Sequence, residues 1–163
     1  ERALDIMKDS RIGAFGAMAL VLALLAKVSL LALLGAHSLG AALAALAGGH
    51  VLSRLWPLFI VRWLPHVGDT ARSKSKPLAD QISRGALAAA VLWCFLPLAL
   101  VYQAQAAMFL IASITASMAA AAWMGRWFAR RLQGFTGDCL GATQQVGEIG
   151  FYLGAALALG AAR

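Results

Sequence analysis

Acidic side chains are scarce in this chain: Asp and Glu together number 7 among 163 residues. Cysteine is scarcer, with Cys94 and Cys139 far apart and without metal-ligand spacing, so free thiols are expected and a zinc site is excluded. No P-loop, no dinucleotide-binding glycine pattern and no Ser/His/Asp set for nucleophilic catalysis can be found. Charged residues of either sign make up only 13%, yet the formal net charge is +7. In a soluble protein that excess would point to nucleic acid. Here the basic residues fall between long apolar runs, which points to orientation in a membrane and to no nucleic-acid partner.

What the chain has in abundance is apolar length. Hydrophobic residues are 61% of it, and the mean hydropathy is +0.77. Five apolar runs predict an all-α, polytopic integral membrane helical bundle with the lipid bilayer as its environment. The expected helices cover about 12–35, 39–64, 84–102, 105–128 and 138–162, as one transmembrane domain. A polar loop at 65–83 separates the second helix from the third, and residues 1–9 read as a short amphipathic helix. The start on Glu1 in place of Met predicts a piece of a longer chain, and the first apolar run is too long for a signal peptide. No internal repeat is evident.

Lys and Arg settle the expected topology. Arg2, Lys8 and Arg11 precede the first helix, Arg72, Lys74, Lys76 and Arg84 occupy the second connection, and Arg126, Arg130 and Arg131 end the fourth helix. The connections around His37 and around Gln103–Gln105 hold none. Five crossings put every basic cluster on one side, which the positive-inside rule makes cytoplasmic. The expected location is therefore the bacterial cytoplasmic (inner) membrane, multi-pass, with the N-terminus inside. Assembly as a homo-oligomer is left open.

Against this background the acids in the last helix stand out. Asp138 opens it and Glu148 lies inside it. An ionisable group at membrane depth costs several kcal/mol unless it is paired, metal-bound or wet, which makes it a functional-site candidate. At 100° per residue, Asp138, Gln145 and Tyr152 share a face about 40° wide, with Gly141 and Glu148 about 60–80° from Asp138. Glu148 then lies about 15 Å below the cytoplasmic end. The alternative is that Asp138 caps the helix and Glu148 pairs with an arginine. Small residues such as those of Gly150-Phe151-Tyr152-Leu153-Gly154 are expected to serve close helix packing.

Two further constellations carry charge. Asp5 and Asp9 stand i,i+4 on one helix face beside Ser10 and Arg11, a spacing that suits a divalent metal next to a phosphate-binding fork, or else a solvated interfacial helix. In the second helix His50, Ser53 and Arg54 lie above Pro57, which frees the carbonyl of Ser53. Arg54 needs an anion: Asp138, Glu148 or a substrate phosphate. Lys27 is expected to snorkel to the outer end of its helix and stays outside the predicted site. Lys74 and Lys76 read as a headgroup-facing loop.

The NDxxD pair of membrane prenyltransferases and the signature of CDP-alcohol phosphotransferases are both absent. What these residues do resemble is the cobalamin synthase family, the membrane enzymes also called adenosylcobinamide-GDP ribazoletransferases. The matching stretches are Ala3-Leu4-Asp5-Ile6-Met7-Lys8-Asp9-Ser10-Arg11-Ile12-Gly13, Ala26-Lys27, Ser53-Arg54, and Gly137-Asp138-Cys139-Leu140-Gly141-Ala142 with Glu148 in register. The resemblance covers essentially the whole chain and corresponds to about the last two-thirds of the family's length. It implies a Mg²⁺-dependent phosphotransfer that joins adenosylcobinamide-GDP to α-ribazole or its 5′-phosphate, releases GMP, and forms adenosylcobalamin or its phosphate. It further implies Asp5, Asp9, Asp138 and Glu148 as metal ligands, Arg11 and Arg54 as catalytic phosphate holders, and Ser10, Ser53, Gly137, Gly141 and Gln145 as substrate-binding residues. No general base is evident, and the acceptor's 5′-hydroxyl or phosphate is expected to be activated by metal alone. The family's acidic DG-x-AD-x-x-DG segment would lie before Glu1, and Cys139 stands where a hydroxyl residue is common in the family. The alternatives are a phosphoalcohol transferase with a lipid acceptor, and a transporter or binding subunit.

Overall fold

The computed structural model of the protein describes residues 12–67 and 82–161. Five helices account for almost all of it: α1 (Ala14–His37), α2 (Leu39–Trp63), α3 (Arg84–Ala104), α4 (Ala107–Leu132) and α5 (Gly137–Ala161). The expected amphipathic helix at 1–9 and most of the loop at 65–83 lie outside the described residues. Helices α1 to α4 are each long and apolar enough to cross a bilayer. Helix α5 is as long, at 25 residues, but carries Asp138, Gln144, Gln145 and Glu148. It packs chiefly on α4, then on α2 and α1.

Local chemistry explains where the helices break. Ser38 and Ser83 take extended backbone, and their hydroxyls accept from the amides of Ala41 and Ala86, each at 3.0 Å. Those amides would otherwise lack partners at a helix start. Pro57 and Pro97 sit inside α2 and α3. Helix α4 runs past the expected end to Leu132, carrying Arg130 and Arg131, and stops where Gln133 adopts left-handed backbone at φ 57°.

That left-handed residue turns the chain sharply into α5 and brings it beside the end of α2. Phe135 N–H donates to the Pro65 carbonyl at 2.9 Å, and Val67 N–H donates to the Phe135 carbonyl at 3.0 Å. The ring of His66 meets Phe135 edge to face. Gly134 allows the approach, because a Cβ there would strike Pro65 and Val67. This clasp closes the end of the bundle that carries Arg62, Arg84, Arg126, Arg130 and Arg131, referred to below as the basic end.

The interior is built from small residues facing aromatic ones. A Cβ at Gly150 would come within 3.0 Å of the Ala116 carbonyl oxygen, and one at Gly154 within 2.7 Å of the Ser113 Cα. The backbones of α4 and α5 therefore nearly touch, the usual way to gain dispersion where lipid removes the hydrophobic drive. On the other flank Gly48 and Gly49 of α2 receive the rings of Phe151 and Tyr152, both fully buried. Ser117 Oγ donates to the Gly147 carbonyl at 2.7 Å and accepts from Trp56 Nε1 at 2.8 Å, tying α4, α5 and α2 together.

Gly154→Val should destabilise the bundle by about 3 kcal/mol or more, since its neighbour is backbone and cannot yield. Gly160→Ala, with nothing within 4 Å of the new Cβ, should stay within about 0.5 kcal/mol of the parent. Thermal unfolding in detergent, followed by circular dichroism, reads both.

Candidate functional site

The polar residues of α5 enter a bundle whose surroundings are apolar, and the partners of Glu148 come from α1, α2 and α5 itself. Glu148 is 6% exposed, about 16 Å along the helix from Gly137. Lys27 on α1 lies about 20 Å from Ala14, so the two side chains arrive at similar depth from the same end. Lys27 Nζ stands 2.9 Å from Glu148 Oε2 and donates to Gln145 Oε1 at 2.5 Å. Tyr152 O–H donates to Glu148 Oε1 at 2.5 Å, and His50 Nδ1 lies 3.7 Å from that same oxygen. Both carboxylate oxygens are thus engaged, and no buried side-chain polar atom among the described residues lacks a partner.

This network corrects the expectation for Lys27. It does not snorkel to the outer end but turns inward, because a lone carboxylate in a low-dielectric interior attracts any cation within reach. The signal was available: Lys27 is the Lys or Arg inside the first apolar run, level by helical rise with the one deep glutamate. The expected alternative of an Arg54–Glu148 pair is likewise replaced. Arg54 is exposed, and its Nη1 donates to the carbonyl of His50 one turn back, at 2.8 Å. Sequence reasoning thus set Lys27 outside the site, and it placed Tyr152 on the polar face and His50 beside Arg54 without assigning either to Glu148.

The other predicted residues divide by position. Ser53 is fully buried, its hydroxyl turned back to the His50 carbonyl at 3.4 Å, so it faces the packing and not an open face. Gly137, Asp138, Gly141 and Gln145 are exposed along one side of α5, and a Cβ at Gly141 would meet nothing within 4 Å. Asp138 and Glu148 lie about 15 Å apart along the helix, too far for one ion to touch both directly. Asp5, Asp9, Ser10 and Arg11 lie outside the described residues. Among the described residues no three His, Cys, Asp or Glu side chains gather as a metal cluster.

What results is a polar face running inward from the basic end. Asp138 and two glycines stand at its mouth, with Gln145 about 10 Å further in along α5 and Arg54 about 14 Å in from the Trp63 end of α2 by helical rise. The Lys27–Glu148–Tyr152 network and the exposed imidazole of His50 form its floor. A face of this kind offers an acidic mouth for a hydrated divalent cation and cationic or amide donors for phosphoryl oxygens deeper in.

The family model for cobalamin-5-phosphate synthase matches residues 1–156. An adenosylcobinamide-GDP ribazoletransferase of Albidiferax ferrireducens is 60% identical over 98% of this chain and 62% of its own length. One from a Polaromonas species is 58% identical, covering 98% of the chain and 61% of that protein. One from Vibrio cholerae is 43% identical, covering 94% and 56%. The chain thus spans about three-fifths of the length of the curated relatives it matches. No solved structure matches it significantly.

Removing one member of the deep pair strands the other. Lys27→Met and Glu148→Gln should each destabilise by about 3–5 kcal/mol, while the double variant should lose far less than their sum. A double-mutant cycle by denaturant or thermal unfolding measures the coupling; additive losses would mean the pair contributes nothing.

Proposed function

The chain belongs to the cobalamin-5-phosphate synthase family, and on that premise we propose that it acts as an adenosylcobinamide-GDP ribazoletransferase. The reaction joins adenosylcobinamide-GDP to α-ribazole or its 5′-phosphate and releases GMP. The observation that carries this reading is the polar face on α5 and α2, which holds Asp138 at its mouth and Arg54 and Gln145 within it.

In the transfer, a ribose hydroxyl oxygen of the acceptor attacks the phosphorus that bears the cobinamide group. A new P–O bond forms, the P–O–P bridge to GMP breaks, and the hydroxyl proton passes to solvent. The family description names a cobalamin 5-phosphate; a product that keeps that phosphate supports attack by a ring hydroxyl in place of the 5′ position expected above. Charge gathers on the phosphoryl oxygens and on the departing GMP. Arg54, exposed on the polar face, is proposed to meet that charge. Gln145 presents its amide nitrogen to the same face, because its carbonyl oxygen is taken by Lys27.

Mg²⁺ would supply electrostatic stabilisation to the same oxygens. Its usual mode, one or two carboxylates together with substrate phosphates and water, fits Asp138: exposed, beside the open Gly141, and the one described carboxylate not committed to a cation. Glu148, engaged by Lys27 and Tyr152, fits a positioning role better than a ligand role. Asp5 and Asp9, where the chain enters α1, are proposed to complete the acidic mouth, with Ser10 and Arg11 on the phosphates. The mouth is proposed to face the cytoplasm, where nucleotide substrates are found.

The test uses the full-length protein in liposomes with adenosylcobinamide-GDP, α-ribazole and Mg²⁺, following GMP release. Asp138→Asn should lower turnover by about 100-fold or more while leaving unfolding unchanged. Turnover at the parental rate would remove Asp138 from the site, and absence of turnover in the folded parent would overturn the function.

A further inference from the structure

A second concave surface lies on the opposite side of α2 from the polar face. Trp56, Phe59 and Trp63 stand about 140–180° around the helix from Arg54, and together with α4 they wall a groove of about 580 Å³. That volume falls within the range of about 300–1,000 Å³ seen for ligand sites. The three rings form a ladder, with centroids 6.1 and 5.2 Å apart. The α4 wall includes Met118, Gly125 and Arg126, the last being the charged residue of the lining. Trp56 is held in place from behind, its Nε1 donating to Ser117 Oγ.

We propose that this groove is a binding site for one anionic phospholipid, an acyl chain lying along the aromatic ladder and the headgroup phosphate on Arg126. Three observations favour a lipid. From Ala129 to Met118 the groove extends about 16 Å along α4, about one leaflet of a ~30 Å hydrocarbon core, starting near the basic end. Trp63 and Trp127, exposed at that end, mark the depth where amphipathic rings meet headgroups. Charge is complementary: Arg126 is exposed within the groove and Arg130 follows one turn on, while the described acids Asp138 and Glu148 belong to α5. An isolated apolar groove would take any lipid; an arginine placed on its wall selects an anionic one. The groove and the polar face lie on different sides of α2.

Native mass spectrometry of the full-length protein, with phosphatidylglycerol and phosphatidylcholine of identical chains supplied in equal amounts, reads the retained lipid. The parent should hold one phosphatidylglycerol in preference to phosphatidylcholine. Arg126→Gln should reduce that preference by about fivefold. Gly125→Phe should abolish retention of either lipid by filling the groove; the open space around Gly125, where a Cβ meets only Ile60 at 3.8 Å, lets the larger side chain fold. Equal retention of the two lipids, retention unchanged in both variants, or a groove closed by protein and holding no lipid would each overturn the proposal.

Discussion

A carboxylate at the middle of an apolar bundle must be neutralised by a partner that comes to it. Glu148 is that group, and Lys27 answers it across the bundle at 2.9 Å. The desolvation of both charges makes the pair a weak source of stability, yet a strong constraint, because losing either partner leaves the other exposed to hydrocarbon. Among the described residues, helix α1 has Leu34 as its one buried residue. The pair gives it a fixed rotation and depth against α5.

Everything around α5 follows from having to bury a helix with polar residues on one side. Its small residues Gly147, Gly150 and Gly154 press against α4, where backbone meets backbone. Its rings Phe151 and Tyr152 fill the space left by Gly48 and Gly49 on α2. With those two faces committed, the remaining side, carrying Asp138, Gly141 and Gln145, is the one left open. Tyr152 belongs to both sets, its ring in the packing and its hydroxyl on Glu148. Helix α2 in turn divides the molecule, with His50 and Arg54 toward the polar face and Trp56, Phe59 and Trp63 toward an apolar groove.

Much of the architecture was legible in composition and period. Long apolar runs punctuated by serine, proline and arginine mark the helices, since local capping and hydropathy act within a few residues. The deep acid was legible too, because Glu148 is conspicuous in an apolar segment. Its partner was legible only as a cation at the same depth, Lys27; that the two meet depends on which faces of α1 and α5 pack together, and hydropathy carries no such information. Arg54 was drawn toward Glu148 by charge alone, whereas the carbonyl of His50, one turn back, accepts its N–H. Ser53 was placed on the reactive side by its neighbour Arg54, yet a 100° step per residue turns it into the core.

The deep pair is tested most directly by solid-state NMR on the full-length protein in bilayers, with ¹⁵N on lysine and ¹³C on glutamate carboxyls. An N–O separation of 2.9 Å places Lys27 Nζ within about 4 Å of the Glu148 carboxyl carbon. A dipolar contact at that distance, absent in Glu148→Gln, is the predicted result. A glutamate signal with no lysine nitrogen near it would contradict the account, leaving α1 without its anchor and the polar face without its floor.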